Sequence, residues 1–121
     1  MSVKMPTTHH ANLGKKIMCD IKIAQWYVNK FNSARDRDIE FSMSITALRN
    51  MSLAKKCYFT GLPLCEKTRT IDRVDNRQGY VKGNVVACHA SFNNLKSLIE
   101  NPINNLDMHT CIKGLTKWRE F

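Results

Sequence analysis

Two aspartates, Asp72 and Asp75, bracket Arg73, and two carboxamides follow at a distance, Asn84 behind Gly83 and Asn93 beside Asn94. This stretch, from Arg69 to Lys96, reads as a carboxylate-bearing strand, a glycine-punctuated loop, a second strand and an asparagine-bearing helix. Each residue alone has an ordinary reading: an exposed Asp-Arg pair is usually a surface ion pair, and Asn84 after a glycine suits a turn. Asn93 and Asn94 are more telling, because two asparagines inside a helix run against propensity and need a reason.

The elements that must position these residues follow from local pattern. Thr70, Ile71 and Val74 favour a strand, residues 76–79 read as a turn, and Val85, Val86 and Ala87 form a second apolar run. The pair predicts a β-hairpin. After Cys88 the apolar residues Phe92, Leu95, Leu98 and Ile99 recur at helical spacing and stop before Asn101-Pro102.

With Thr70-Ile71-Asp72-Arg73-Val74-Asp75, Gly79-Tyr80, Gly83-Asn84-Val85, Asn93 and Lys96 in this order, the chain resembles the HNH, or His-Me finger, endonucleases, in a phage-type branch. The resemblance extends upstream through a lead-in ending in a Cys57-x-x-Thr60-Gly61 knuckle and covers roughly residues 35–100. It implies a ββα-metal core and hydrolysis of DNA phosphodiester bonds with one divalent cation. Carried over, Asp72 is the strand metal ligand, Asn84 the asparagine that orients the general base, and Asn93 the helix ligand. Hard oxygen ligands of this kind suit Mg²⁺ or Mn²⁺ better than zinc.

One position departs from the family. Where most members place the general-base histidine, directly after the strand aspartate, this chain has Arg73. Arginine stays protonated and cannot accept a proton from water. Three readings stand: the metal activates water while Arg73 clamps the scissile phosphate, Asp75 or His89 is the base, or the site no longer cuts and the chain is a nuclease-derived protein that binds nucleic acid or a host protein.

Length and charge bound the rest. The 121 residues, 43% hydrophobic, fit one domain with a modest core. We expect an α+β fold: a helical lead-in over residues 1–56, the ββα core over 57–100 and a C-terminal helix over 101–121. A net charge of +9 favours a polyanionic partner. DNA or RNA is the natural candidate, double-stranded DNA first, met by Arg73, Arg77, Lys82 and Lys96. No apolar run reaches the length of a membrane span, and Met1 to Pro6 lacks a signal-peptide core. The expectation is a cytoplasmic protein, in the host cytoplasm if phage-encoded, with no membrane partner. A dimer stays open.

Five cysteines, an odd number, do not suggest a disulfide framework. The resemblance implies two Cys-x-x-Cys knuckles around a structural zinc, but here the pairs read Cys57 with Thr60 and Cys88 with Ser91. Two thiolates and two hydroxyls make a poor tetrahedral zinc site, so Cys57 and Cys88 are expected to lie near each other as a remnant knuckle without zinc, and as buried free thiols.

Upstream, residues 12–32 predict an amphipathic helix with Ile17, Ile21, Ala24, Val28 and Phe31 on its buried face, Trp26 and Tyr27 as core or interface residues, and His9-His10 as a flexible terminus. Ile39 to Phe41 predicts a short strand, and Ser44 caps a helix reaching about Lys55. Beyond Pro102, Leu106, Cys111, Leu115 and Trp118 form a stripe on a closing helix that Gly114 weakens.

Overall fold

The computed structural model describes the backbone of residues 7–120 and the side chains of residues 19–120. The fold is α+β: four helices and a two-stranded antiparallel hairpin. Helix α1 (Thr7–Asp36) is followed by α2 (Ile45–Ser52), strands β1 (Arg69–Arg73) and β2 (Val85–His89), α3 (Ala90–Glu100), a 3₁₀ turn (Pro102–Asn104) and α4 (Met108–Arg119). Among the described residues no helix is long and apolar enough to cross a membrane.

Helix α1 runs longer than the sequence pattern suggests, its backbone passing through His9 and His10, whose side chains, like that of Ile17, lie outside the described residues. Its packed face is also rotated from the expected one. Ile21, Val28 and Phe31 remain 45%, 53% and 44% exposed, while Ala34 is fully buried and Trp26 and Tyr27 pack on the core. Large aromatic surface outweighs the aliphatic stripe, and Tyr27 Oη donates to the Met43 carbonyl at 2.7 Å, fixing the helix rotation. Helix α2 begins where Ser44 Oγ accepts from Ala47 N–H at 3.1 Å. It ends at Ser52, short of Lys55.

The core is centred on Leu48 and Ile71, with Ala34, Met43, Tyr80 and Val85 around them. The expected strand at Ile39 to Phe41 shrinks to one parallel bridge, Phe41 to Tyr80. Gly79 explains how close that contact is: a Cβ there would lie 2.5 Å from the Glu40 carbonyl oxygen. Tyr80 N–H then donates to Glu40 O at 2.8 Å, and Ser42 N–H to Tyr80 O at 2.9 Å.

Register in the hairpin pairs Thr70 with Cys88, Ile71 with Ala87 and Asp72 with Val86. Because strand side chains alternate, Ile71 enters the core beneath α1 and α2 while Thr70 and Asp72 turn to the opposite face, which α3 covers. Helix α3 starts on His89, whose Nδ1 accepts from Ser91 N–H at 3.1 Å. Helix α4 forms on its Asp107 cap, but its stripe stays uncovered among the described residues, with Leu115 54% and Trp118 74% exposed. The 3₁₀ turn and left-handed Asn105 separate α3 from α4.

Candidate functional site

The face between β1 and α3 brings Thr70, Asp72, Asn93 and Lys96 together. Residues two apart on a strand and three apart on a helix share a face, so two strand side chains meet two helix side chains in order. Asn93 Nδ2 donates to Thr70 Oγ1 at 3.3 Å, and Thr70 Oγ1 donates to the Cys88 carbonyl at 2.9 Å. One turn farther along α3, Lys96 Nζ stands 3.2 Å from Asp72 Oδ2. Asp72 and Asn93 thus lie on the same β1–α3 face, Asn93 bonded to Thr70 and Asp72 paired with Lys96.

Lys96 carries more than that one contact. Its ammonium donates to the Arg73 carbonyl and to Glu100 Oε2, both at 2.9 Å. Burial opposes its charge, but the Glu100 hydrogen bond and the Asp72 carboxylate outweigh it and hold its pKa above the ordinary value. With only 15% of its side chain exposed, Lys96 is not an open phosphate contact in this state. Asp72 Oδ2 lies at ion-pair distance without hydrogen-bond alignment. It is the one wholly buried side-chain oxygen or nitrogen left without a hydrogen bond among the described residues.

That orphaned oxygen bears on the metal that the resemblance implies. Buried polar atoms are nearly always satisfied, and a buried carboxylate oxygen that has an ammonium at ion-pair distance but no hydrogen bond suits a cation. Asp72, Glu100 and the Arg73 carbonyl are oxygens converging on one positive charge, the ligand chemistry of Mg²⁺ or Mn²⁺. The residues fit such an ion, with the Lys96 ammonium now among them. No cluster of three His, Cys, Asp or Glu side chains occurs among the described residues.

Arg73 points to the other face of β1. Its Nη1 donates to the Asn76 and Gln78 carbonyls at 2.9 and 3.0 Å, and its guanidinium carbon lies 5.4 Å from the Tyr80 ring centre. It braces the loop between the strands. Asn84 does the same from inside: 5% exposed, it accepts from Asp75 N–H at 2.9 Å and donates to the Asp75 and Gly79 carbonyls at 3.0 and 2.9 Å. Gly83, at φ +87, turns the chain so that Asn84 can face inward.

The two other potential bases are also engaged. Asp75 accepts from Arg77 Nε and Nη2 at 3.0 and 3.1 Å, and these hydrogen bonds hold its carboxyl below the usual range. His89 uses Nδ1 as an acceptor, which leaves the neutral ring's proton on Nε2. Lys82 and Arg77 are exposed on the same loop, with 86% of the Arg77 side chain in solvent.

The expected nearness of Cys57 and Cys88 is present. Cys57 and Cys88 are buried free thiols with their sulfurs 3.9 Å apart. Burial opposes ionisation of Cys57, but hydrogen bonds from the Thr60 hydroxyl and from the backbone of His89, Thr60 and Phe59 bring it down to about 7. Burial, then the neighbouring Cys57, pushes Cys88 up to about 12. Phe59 packs on Phe92 at 5.2 Å between ring centres, tying the turn after Cys57 to α3.

Glu100 was not singled out from the sequence. The signal was present, since Lys96 and Glu100 stand four apart on the helical face that also carries Asn93.

The chain is 30% identical over 69 residues to an uncharacterized 29.0 kDa protein in the dda-modA intergenic region of Enterobacteria phage T4. The match takes in 54% of this chain and 28% of the phage protein, so the chain spans less than a third of that relative's length. No protein-family model and no solved structure matches the chain.

Proposed function

We propose that this chain is a phage-type HNH endonuclease that binds double-stranded DNA in the host cytoplasm and hydrolyses its phosphodiester bonds with one divalent cation, Mg²⁺ or Mn²⁺. The observation that carries the reading is Asp72: a buried carboxylate oxygen with no hydrogen bond, held between strand and helix of a ββα unit. When bound there, a divalent ion supplies Lewis acidity to the phosphodiester and its leaving oxygen. The chain's own residues do the rest. Asp72 presents its carboxylate from β1, Glu100 and the Arg73 carbonyl add oxygens from beside it, and Arg77 and Lys82 offer exposed positive charge on the adjoining loop. Asn84 and Arg73 hold that loop's shape from its two sides.

A second reading has its own support. Arg73 cannot accept a proton, Asp75 is bound by Arg77 and His89 Nδ1 by Ser91, so none of the three offers a free basic atom. The same fold would then act by occupying nucleic acid or a host protein without cutting. Plasmid nicking with Mg²⁺ or Mn²⁺, run beside Asp72→Ala and beside a duplex-binding assay, separates the two: metal-dependent nicking lost in Asp72→Ala supports the enzyme, whereas binding without nicking supports the binder.

A further inference from the structure

We infer that Lys96 is the resident cation of the site, and that a divalent ion reaches Asp72 only by displacing the Lys96 ammonium. The inference rests on the reading of Asp72 as a metal ligand and concerns how that ligand is guarded. Three oxygens from two elements converge on Lys96 Nζ: the Arg73 carbonyl and Glu100 Oε2 at 2.9 Å, and Asp72 Oδ2 at 3.2 Å. These are the oxygens a hard cation would take, and an ammonium at that distance leaves no room for a second cation among them. Electrostatics point the same way. Two carboxylates and one ammonium leave a net charge of −1, which a divalent ion in place of the ammonium would bring to zero.

Displacement is mechanically open to lysine. Its ammonium is a compact charge on a flexible stem, and Lys96 keeps 15% of its side chain in contact with solvent. Once turned outward from α3, it becomes a free positive charge beside the site, suited to a phosphate oxygen. Phosphate binding that draws Lys96 outward and cation binding that expels it would then help each other, because coupling between two ligands is reciprocal. DNA contact would load the site, and the chain without DNA would hold its metal weakly.

Calorimetric titration of the full chain with Mn²⁺, in wild type, Asp72→Asn, Lys96→Met and Lys96→Met/Asp72→Asn, tests this. The expected result is that Lys96→Met binds Mn²⁺ about tenfold more tightly than wild type, the scale of one charge-assisted hydrogen bond, and that the added Asp72→Asn removes the gain. Equal, Asp72-dependent affinity in wild type and Lys96→Met would overturn the guarding role and leave the metal reading standing. No Asp72-dependent Mn²⁺ binding in any variant would overturn both. Following the Lys96 ¹⁵Nζ resonance of wild-type protein during Mg²⁺ titration keeps the test independent of how the variants fold: a change from restrained to mobile at saturation supports displacement, and an unmoved resonance on an Mg²⁺-loaded chain refutes it.

Discussion

Asn84→Ala should destabilise the chain by about 2 to 4 kcal/mol, and the size follows from what the side chain holds. It makes three hydrogen bonds, one accepted from Asp75 N–H and two donated to the Asp75 and Gly79 carbonyls. At about 0.5 to 1.5 kcal/mol net for each, with an added penalty where a partner stays buried, the loss is a few kcal/mol. Water can reach part of the vacated loop, because Asp75 keeps 28% of its side chain exposed, and this limits the upper end. Asn84→Asp sharpens the test. It keeps the acceptor for Asp75 N–H but turns a second oxygen toward two carbonyls, so it should be worse than alanine at neutral pH and improve in acid as the carboxyl protonates and regains a donor. Urea unfolding followed by the fluorescence of the two tryptophans, Trp26 and Trp118, measures both. If Asn84→Ala unfolds within about 0.5 kcal/mol of wild type, inside the range of an ordinary surface change, the residue is no staple. Full stability with lost nicking would return it to the base-orienting role that the family resemblance assigns.

Arg73→Ala should unfold more readily by about 1 to 2 kcal/mol, from two charge-assisted hydrogen bonds to loop carbonyls that are partly open to water; Arg73→His should raise nicking above wild type only if the imidazole reaches the Asp72 side of the strand, and retained nicking in Arg73→Ala would exclude a phosphate clamp. Lowering of Cys57 from 9.0 to about 7 contributes stability that is fully present above the unfolded value and lost as pH falls through 7. Under reducing conditions the unfolding free energy should therefore rise from about pH 7 to 9 by up to roughly 2 to 3 kcal/mol. Cys88, raised to about 12, works oppositely, so stability should fall above about pH 9, and Cys57→Ser should abolish the rise. A pH-flat urea midpoint between 7 and 9 would contradict the Cys57 hydrogen-bond set. Duplex affinity should drop nearly linearly on a log-log plot against salt with little sequence preference, and salt-independent binding would point to a protein partner.

Much of the hairpin and of α3 was legible because their signals are local. Alternation at Thr70 to Arg73, the glycine turn and the helical spacing from Phe92 to Ile99 each require only neighbouring residues. The rotation of α1 was not, since choosing between the Ile21-Val28-Phe31 stripe and the Trp26-Tyr27-Ala34 face depends on partners far along the chain, such as the Met43 carbonyl. The same limit applied at the site. Spacing brings Asp72 and Asn93 to facing surfaces of β1 and α3, but the helix register sets Asn93 against Thr70 and gives Asp72 to Lys96. Nor did the type of Arg73 or Asn84 reveal that both are taken up by loop carbonyls. The closeness of Cys57 and Cys88 was readable from the altered Cys-x-x-Cys pattern, whereas the groups that lower Cys57, Thr60 and the backbone of His89, Thr60 and Phe59, are gathered only by folding.

The central claim is that Asp72 serves metal-dependent cleavage of DNA, and supercoiled-plasmid nicking reads it most directly. Wild type should nick with Mg²⁺ or Mn²⁺ and be silent in chelator, while Asp72→Ala, still folded and still binding duplex, should lose activity by a factor of about a hundred or more, as removal of an electrostatic transition-state contact commonly does. Nicking that survives Asp72→Ala, or no nicking by a wild-type chain that binds duplex and Mn²⁺, would contradict it.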